Sequence, residues 1–171
     1  YTNAHFSLGI SLLNLGKLQE SEFSIRKAIE LNPSLAEAHL NLGNILRGIG
    51  KLKEAELSTR KGIELNPEFA EGYFNLGNIL REMGKSQEAL LCYLKAVEIG
   101  KKPSKFYNSI IFLLKDSDPS LLSQYKLNNI LKILLKREDI NHQDLFKVFN
   151  FFYRDEILNN LQNLASESSI I

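Results

Sequence analysis

A repeated block of 34 residues is the feature of this sequence that most restricts its fold. One copy begins at Ala36, a close second copy begins 34 positions later at Ala70, and a looser copy begins at Thr2. A block of this length cannot bury its own apolar side chains, so successive blocks must stack and share a continuous core. The sequence therefore predicts an array of three similar units.

Each block has the periodicity of two amphipathic helices joined by a tight turn. Gly16, Gly50 and Gly84 supply the permissive backbone position of the turn, and the lysine after each glycine can interact with the last helical carbonyls. Pro33 and Pro67 end the second helix. Leucines four residues apart on the first helix predict the buried seam: Leu8 and Leu12, Leu42 and Leu46, Leu76 and Leu80.

Small residues recur where the two helices of a block must approach closely. Glycine inside a helix costs about 1 kcal/mol relative to alanine, so a glycine repeated at one register indicates a packing requirement. The positions are Gly9, Gly43 and Gly77 in the first helix, and Ala28, Gly62 and Ala96 in the second.

A carboxylate recurs near the start of each second helix, where a negative charge is stabilised by the helix dipole. These residues are Glu20, Glu54 and Glu88.

The pattern of LG in the first helix, glycine at the turn and NP at the end of the second helix resembles the tetratricopeptide repeat. The resemblance covers 2–103 as three repeats, 2–35, 36–69 and 70–103, and departs from the family at Ser21, Thr59, Gly62 and Lys101. It implies an all-α fold, a right-handed superhelical stack of helix-turn-helix hairpins, or α-solenoid. First helices would line the concave groove and second helices the convex side.

The composition changes after Pro103, since every glycine lies at or before Gly100. We interpret 104–165 as a degenerate repeat with capping helices and 166–171 as a tail. Helices are predicted over 104–115, 121–136, from near 142 after an Asn141 cap, and over about 154–164. The aromatic cluster is expected to be core, or alternatively a docking face with Phe151 and Tyr153 exposed; it comprises Phe146, Phe149, Phe151, Phe152 and Tyr153.

The bulk composition favours a cytoplasmic protein with no nucleic-acid or membrane partner. The formal net charge is +1, so no overall field attracts anionic partners. Cys92 is the only cysteine, which excludes an internal disulfide and fits a reducing compartment. The longest apolar run, 110–114, is far shorter than the roughly 20 residues of a membrane span. Because the sequence begins at Tyr1, we expect a piece of a longer product.

No catalytic, cofactor or metal site is expected. The end of a phosphate-binding loop is similar to the triplet Gly84, Lys85 and Ser86. That loop also needs a glycine five residues before Gly84, but Ile79 occupies the position. His5 and His39 occupy a packing register at which the family usually has an aromatic residue. Cys92 lies within a helix and is predicted to be a buried, inert thiol. The chain is therefore not expected to be an enzyme or to bind a small-molecule substrate.

The resemblance assigns partner binding to the first-helix residues that face away from the leucine seam. These are Glu37, Leu40, Asn41, Asn44 and Arg47, and, one repeat later, Glu71, Phe74, Asn75, Asn78 and Arg81. The repeated asparagines resemble the ladder of O-linked N-acetylglucosamine transferases, whose amides would suit the backbone of an extended peptide. Alternatively, NLGN is simply a common sequence in such repeats.

Some members of the family, the chaperone adaptors, bind a C-terminal carboxylate with lysine, asparagine and arginine side chains from three successive repeats. We do not expect this binding here, because only Asn41 matches those positions. The other positions are occupied by Phe6, Ile10, Glu71 and Asn75. The favoured function is a protein-protein interaction module that holds a protein or peptide in the groove. Two alternatives are the targeting region of a larger bacterial transferase, and a scaffold that self-associates through its C-terminal aromatic helices.

Overall fold

The computed structural model describes residues 1–100 and 104–116, together with positions 131, 134, 146, 149, 150, 153 and 154. The chain forms two compact units, Tyr1–Phe106 and Tyr107–Ile171. In the described ranges all regular structure is helical, which confirms the all-α prediction. No helix in that part of the chain is long and apolar enough to cross a membrane.

The first unit is built from three helical hairpins. We call the pairs α1 and α2, α3 and α4, and α5 and α6 hairpins 1, 2 and 3; within each pair the two helices pack against each other. The helices are α1 Thr2–Asn14, α2 Leu18–Leu31, α3 Ala36–Gly48, α4 Leu52–Leu65, α5 Ala70–Glu82, α6 Ser86–Ile99 and α7 Ser104–Asp116.

Glycine is required at the hairpin turns, as predicted. The φ angles of Gly16, Gly50 and Gly84 are 73°, 82° and 77°, a left-handed conformation that other residues rarely adopt. The following lysine closes the helix with its backbone: the Lys17 N–H donates to the Leu12 carbonyl over 2.9 Å. The lysine side chains are therefore left to form other contacts.

Glycine is also required where the helices of a hairpin cross. A Cβ atom on Gly43 would lie 2.0 Å from Thr59 Oγ1, and one on Gly77 would lie 2.5 Å from the Tyr93 ring. Gly9 meets Ile25 at the equivalent place in hairpin 1. The predicted packing requirement is confirmed, and it sets how close α3 comes to α4.

The leucine seam is buried in hairpins 2 and 3 but not in hairpin 1. Leu42 and Leu76 are 5% and 3% exposed, whereas Leu8, at the same register, is 51% exposed. The prediction that Leu8 is buried was wrong. Leu42 packs in one cluster with Ile25 and Ile29 of the preceding hairpin, and among the described residues no hairpin precedes hairpin 1.

In the part of 107–171 that the structure describes, Leu131 and Leu134 are fully buried, as their stripe predicted. Phe146 is 65% exposed, so its assignment to the core was wrong. The rings of Phe149 and Tyr153 stack, with centroids 4.8 Å apart. Phe151, Phe152 and most of the helices predicted after Asp116 lie outside the described residues.

Candidate functional site

The predicted binding residues of α3 and α5 lie at matching positions one repeat apart, and nearly all of them reach the surface. Eight of the ten are half-buried, and Glu37 is exposed. Leu40 differs, because it is 3% exposed and its side chain lies against Gly62 and Gly72. Leu40 therefore belongs to the packing between helices. We call the other nine residues the first-helix face.

Hydrogen bonds orient three of the asparagine amides on this face. Asn41 Nδ2 donates to the Glu37 carbonyl over 2.8 Å, which leaves Asn41 Oδ1 as an acceptor. Asn44 Oδ1 accepts from Arg47 Nη2 over 3.1 Å, which leaves the Asn44 NH2 group to donate. One turn of α3 thus presents an acceptor and a donor side by side.

The side-chain amide of Asn78 has the same orientation as that of Asn44, but a different residue fixes it. Its Oδ1 accepts a 2.8 Å hydrogen bond from the hydroxyl of Tyr93, whose side chain is fully buried in α6. Asn75 is half-buried and forms none of these bonds. The buried tyrosine therefore fixes the Asn78 NH2 group as a donor on the face, a role that the sequence did not indicate.

The first-helix face is continuous between hairpins 2 and 3. Arg47 Nη1 pairs with Glu82 Oε1 over 2.8 Å, which joins α3 to α5. At the start of α5, the Phe74 ring lies 5.6 Å from the Tyr93 ring and 4.7 Å from the Phe106 ring, centroid to centroid. Phe74 is thus the half-buried edge of an aromatic cluster, and it supplies an apolar surface beside the asparagines.

Ion pairs join neighbouring hairpins through their second helices. Between hairpins 1 and 2, Arg26 Nη2 lies 3.1 Å from Glu54 Oε2, and Lys51 Nζ lies 3.2 Å from Glu22 Oε2. We call such contacts junction pairs. The corresponding contacts between hairpins 2 and 3 are Arg60 with Glu88 at 3.6 Å and Lys85 with Glu56 at 3.2 Å. The helix-dipole interpretation of Glu54 and Glu88 missed this second role.

The carboxylates of Glu22 and Glu56 titrate below the ordinary range. Burial by itself raises the pKa of Glu22, but hydrogen bonds from Arg26 and Lys51 outweigh it, so the net pKa is lowered. Burial and the bonds from Arg60 and Lys85 act on the pKa of Glu56 in the same way. Both carboxylates remain charged at neutral pH, and each pairs with a lysine of the next hairpin.

Two other features lie away from the first-helix face. A cleft between hairpins 1 and 2 is lined mainly by α2 and α4 and includes none of the ten predicted residues. Burial raises the pKa of the Cys92 thiol to about 11, so it stays protonated at neutral pH. Among the described residues, no three histidine, cysteine or acidic side chains are grouped closely enough to hold a metal ion.

Comparisons with known proteins agree with this architecture. Models of the tetratricopeptide repeat match residues 2–35, 25–56 and 70–102. No curated protein matches the sequence.

Among solved structures, a crystal structure of MamA is 24% identical, with a TM-score of 0.68 over 80% of this chain and 78% of that one. The first repeat domain of Spaghetti (RPAP3), bound to the HSP90 peptide SRMEEVD, is 18% identical, with a TM-score of 0.64 over 66% and 89%. The Arabidopsis OM64 domain is 15% identical, with a TM-score of 0.66 over 68% and 96%. The chain belongs to the tetratricopeptide-repeat family.

Proposed function

We propose that this chain is a protein-interaction module that binds an extended segment of a partner protein in a groove along the first-helix face. The observation that carries the proposal is the opposite orientation of two amides on α3. Asn41 presents a side-chain oxygen and Asn44 presents an NH2 group. An extended peptide offers the complementary N–H and C=O groups along its backbone.

The spacing of the repeats fits the same partner. An extended chain rises about 3.3 Å per residue, and packed helices lie roughly 8–10 Å apart, so one repeat spans about three peptide residues. Asn41 and Asn75 would then contact backbone groups about three residues apart. Phe74 and the two arginines, Arg47 and Arg81, would contact side chains and set the sequence preference.

The acidic residue at the start of α3 argues against an acidic ligand at that end of the face. The similar Spaghetti domain is bound to the peptide SRMEEVD. In this chain, the exposed Glu37 occupies the first turn of α3, where it would repel an acidic tail. We therefore expect the partner segment to be neutral or basic where it passes this residue.

A peptide array tests this proposal. Nine-residue peptides of varied sequence, with SRMEEVD as the acidic comparison, are titrated against the full chain by fluorescence anisotropy. The proposal expects binding of several unrelated neutral or basic sequences and little binding of SRMEEVD. Phe74→Ala and Arg81→Ala should change the ranking of the peptides, whereas Asn75→Ala should weaken all of them. Unchanged affinity in all three variants would place the binding surface elsewhere.

A further inference from the structure

The second helices expose a row of large apolar residues, one from each hairpin. Phe23, Leu57 and Leu91 occupy the same register and are 68%, 71% and 50% exposed. The middle hairpin exposes this register as fully as the first, so the exposure does not depend on where the array begins. We call these three residues the apolar row.

The helices of hairpins 1 and 2 that carry the row bury smaller and more polar residues than those they expose. In α2, Ser21 and Ser24 are buried although they lie next to Phe23 in sequence, and in α4 Thr59 is fully buried two positions after Leu57. An amphipathic helix normally directs its large apolar residues to the interior. Exceptions at one register of three helices therefore indicate a surface that another molecule covers.

Charged residues of opposite sign border the two sides of the apolar row. A glutamate precedes each member of the row by three positions, and a lysine follows it by four, so both lie within about one turn on the same side of the helix. All six charged side chains are exposed. The acidic border is Glu20, Glu54 and Glu88, and the basic border is Lys27, Lys61 and Lys95.

We propose that the apolar row is a self-association surface that docks the same surface of a second copy of this chain. A twofold axis along the row places the apolar residues of the two copies against each other and makes their second helices antiparallel. The acidic border of each copy then faces the basic border of the other. A twofold axis parallel to the second helices would instead place glutamates opposite glutamates, so the charges select the first arrangement.

A second copy is the occupant that this pattern favours, because the pattern is complementary to itself. Within one chain the border residues form exposed ion pairs, such as Lys61 Nζ with Glu64 Oε1 at 2.9 Å and Glu54 Oε2 with Arg26 Nη2 at 3.1 Å. Exposed pairs contribute little to the stability of a single chain. They can therefore be replaced by pairs between the two copies at little cost.

The apolar row and the first-helix face share no residue, so a dimer would leave the first-helix face available. The dimer would carry two such faces, and a partner with two matching segments would bind it more tightly than a partner with one. Self-association does not depend on whether the first-helix face binds a peptide.

Sedimentation velocity of the full chain over a series of concentrations tests the proposal. We expect a reversible dimer, and Leu57→Ser should raise its dissociation constant at least about tenfold, because each dimer loses two buried leucines. The matched control is Leu15→Ser, since Leu15 is 72% exposed but lies in the turn before α2. It should leave the dissociation constant unchanged.

Two results would overturn the proposal. A chain that stays monomeric at every concentration would leave the apolar row to a different protein. A dimer that Leu57→Ser weakens no more than Leu15→Ser would be held together by another surface. Circular dichroism verifies that both variants fold like the parent.

Charge reversal tests the orientation of the two copies. Lys61→Glu places glutamates opposite each other at two points of the dimer, and Glu54→Lys places lysines opposite each other, so each variant alone should dimerise about tenfold more weakly. In an equimolar mixture of the two variants every reversed charge faces its opposite again, and a heterodimer with the parental dissociation constant should form. A mixture that associates no more tightly than either variant alone would refute the antiparallel arrangement.

Discussion

The hydroxyl of buried Tyr93 donates a 2.8 Å hydrogen bond to Oδ1 of Asn78, and so a second-helix residue sets the orientation of an amide on the first-helix face. In hairpin 2 the register of Tyr93 is held by Thr59, which is too short for this role, and Arg47 orients Asn44 instead. The two repeats thus orient equivalent amides by different means.

Tyr93→Phe should remove this bond and keep the ring packed against Gly77 and Phe74. The free energy of unfolding is expected to fall by about 0.5–1.5 kcal/mol, the usual net value of a neutral hydrogen bond. Urea denaturation measures the change. Tyr73→Phe, on a half-buried tyrosine of α5, is the control and should stay within about 0.5 kcal/mol. Equal losses in the two variants would mean that the hydrogen bond to Asn78 adds nothing measurable to the free energy of unfolding.

Gly43→Ala should destabilise the protein by about 1–3 kcal/mol, because the new Cβ would overlap Thr59 Oγ1 and press on the Ala55 carbonyl, 3.2 Å away. Adding Thr59→Ala should recover part of the loss, which a double-mutant cycle in urea detects. Gly48→Ala is the control, since its Cβ would meet only the end of the Leu18 side chain, at 3.1 Å. Additive losses at Gly43 and Thr59 would contradict the clash.

Thr59→Val should stabilise the protein. Thr59 Oγ1 is buried and has no hydrogen-bond partner among the described residues, and valine has nearly the same shape. Removing an unsatisfied buried hydroxyl is expected to raise the free energy of unfolding by about 1 kcal/mol. Ser58→Ala, which loses a 2.9 Å bond to the His39 carbonyl, should lower it. A loss of stability in Thr59→Val would show that the hydroxyl is satisfied.

The junction pairs should make stability depend on acid pH. Because the pKa values of Glu22 and Glu56 are lower in the folded chain than their ordinary value of 4.5, folding favours the charged carboxylates. Their contribution is present in full well above pH 4.5 and is lost as the pH falls through the lowered values. Glu22→Gln should therefore flatten the curve of stability against pH below about 5, as measured by urea denaturation at a series of pH values. A curve of unchanged shape would contradict this role of the Glu22 carboxylate.

The repeat allowed the hairpins, the turn glycines and the close helix crossings to be predicted, because each depends on contacts within one block. Gly50 must adopt a positive φ wherever its hairpin lies, and Gly43 meets a residue of the same hairpin. The repeat pattern could not predict that identical residues of different blocks would differ in burial. Leu8 and Leu42 occupy one register, but only the neighbouring hairpin decides which one is buried.

The candidate face was predictable as a helix surface but not in its details. Leu40 and Asn41 are adjacent, and the boundary between interior and surface falls between them because Gly62 and Gly72 leave room for the leucine. The hydrogen bond from Tyr93 to Asn78 spans 15 positions and two helices. A periodic pattern within one helix cannot predict a contact between two helices.

The central claim, that asparagine amides of the first-helix face hold a partner backbone, is tested most directly by one titration. The tightest peptide of the array is titrated against the full chain, the Asn41→Ala and Asn75→Ala double variant, and Lys53→Ala on the exposed side of α4 as the control. Loss of two neutral hydrogen bonds predicts a Kd about 5–150-fold higher for the double variant, with circular dichroism unchanged and Lys53→Ala equal to the parent. A double variant that binds as tightly as the parent would contradict the account.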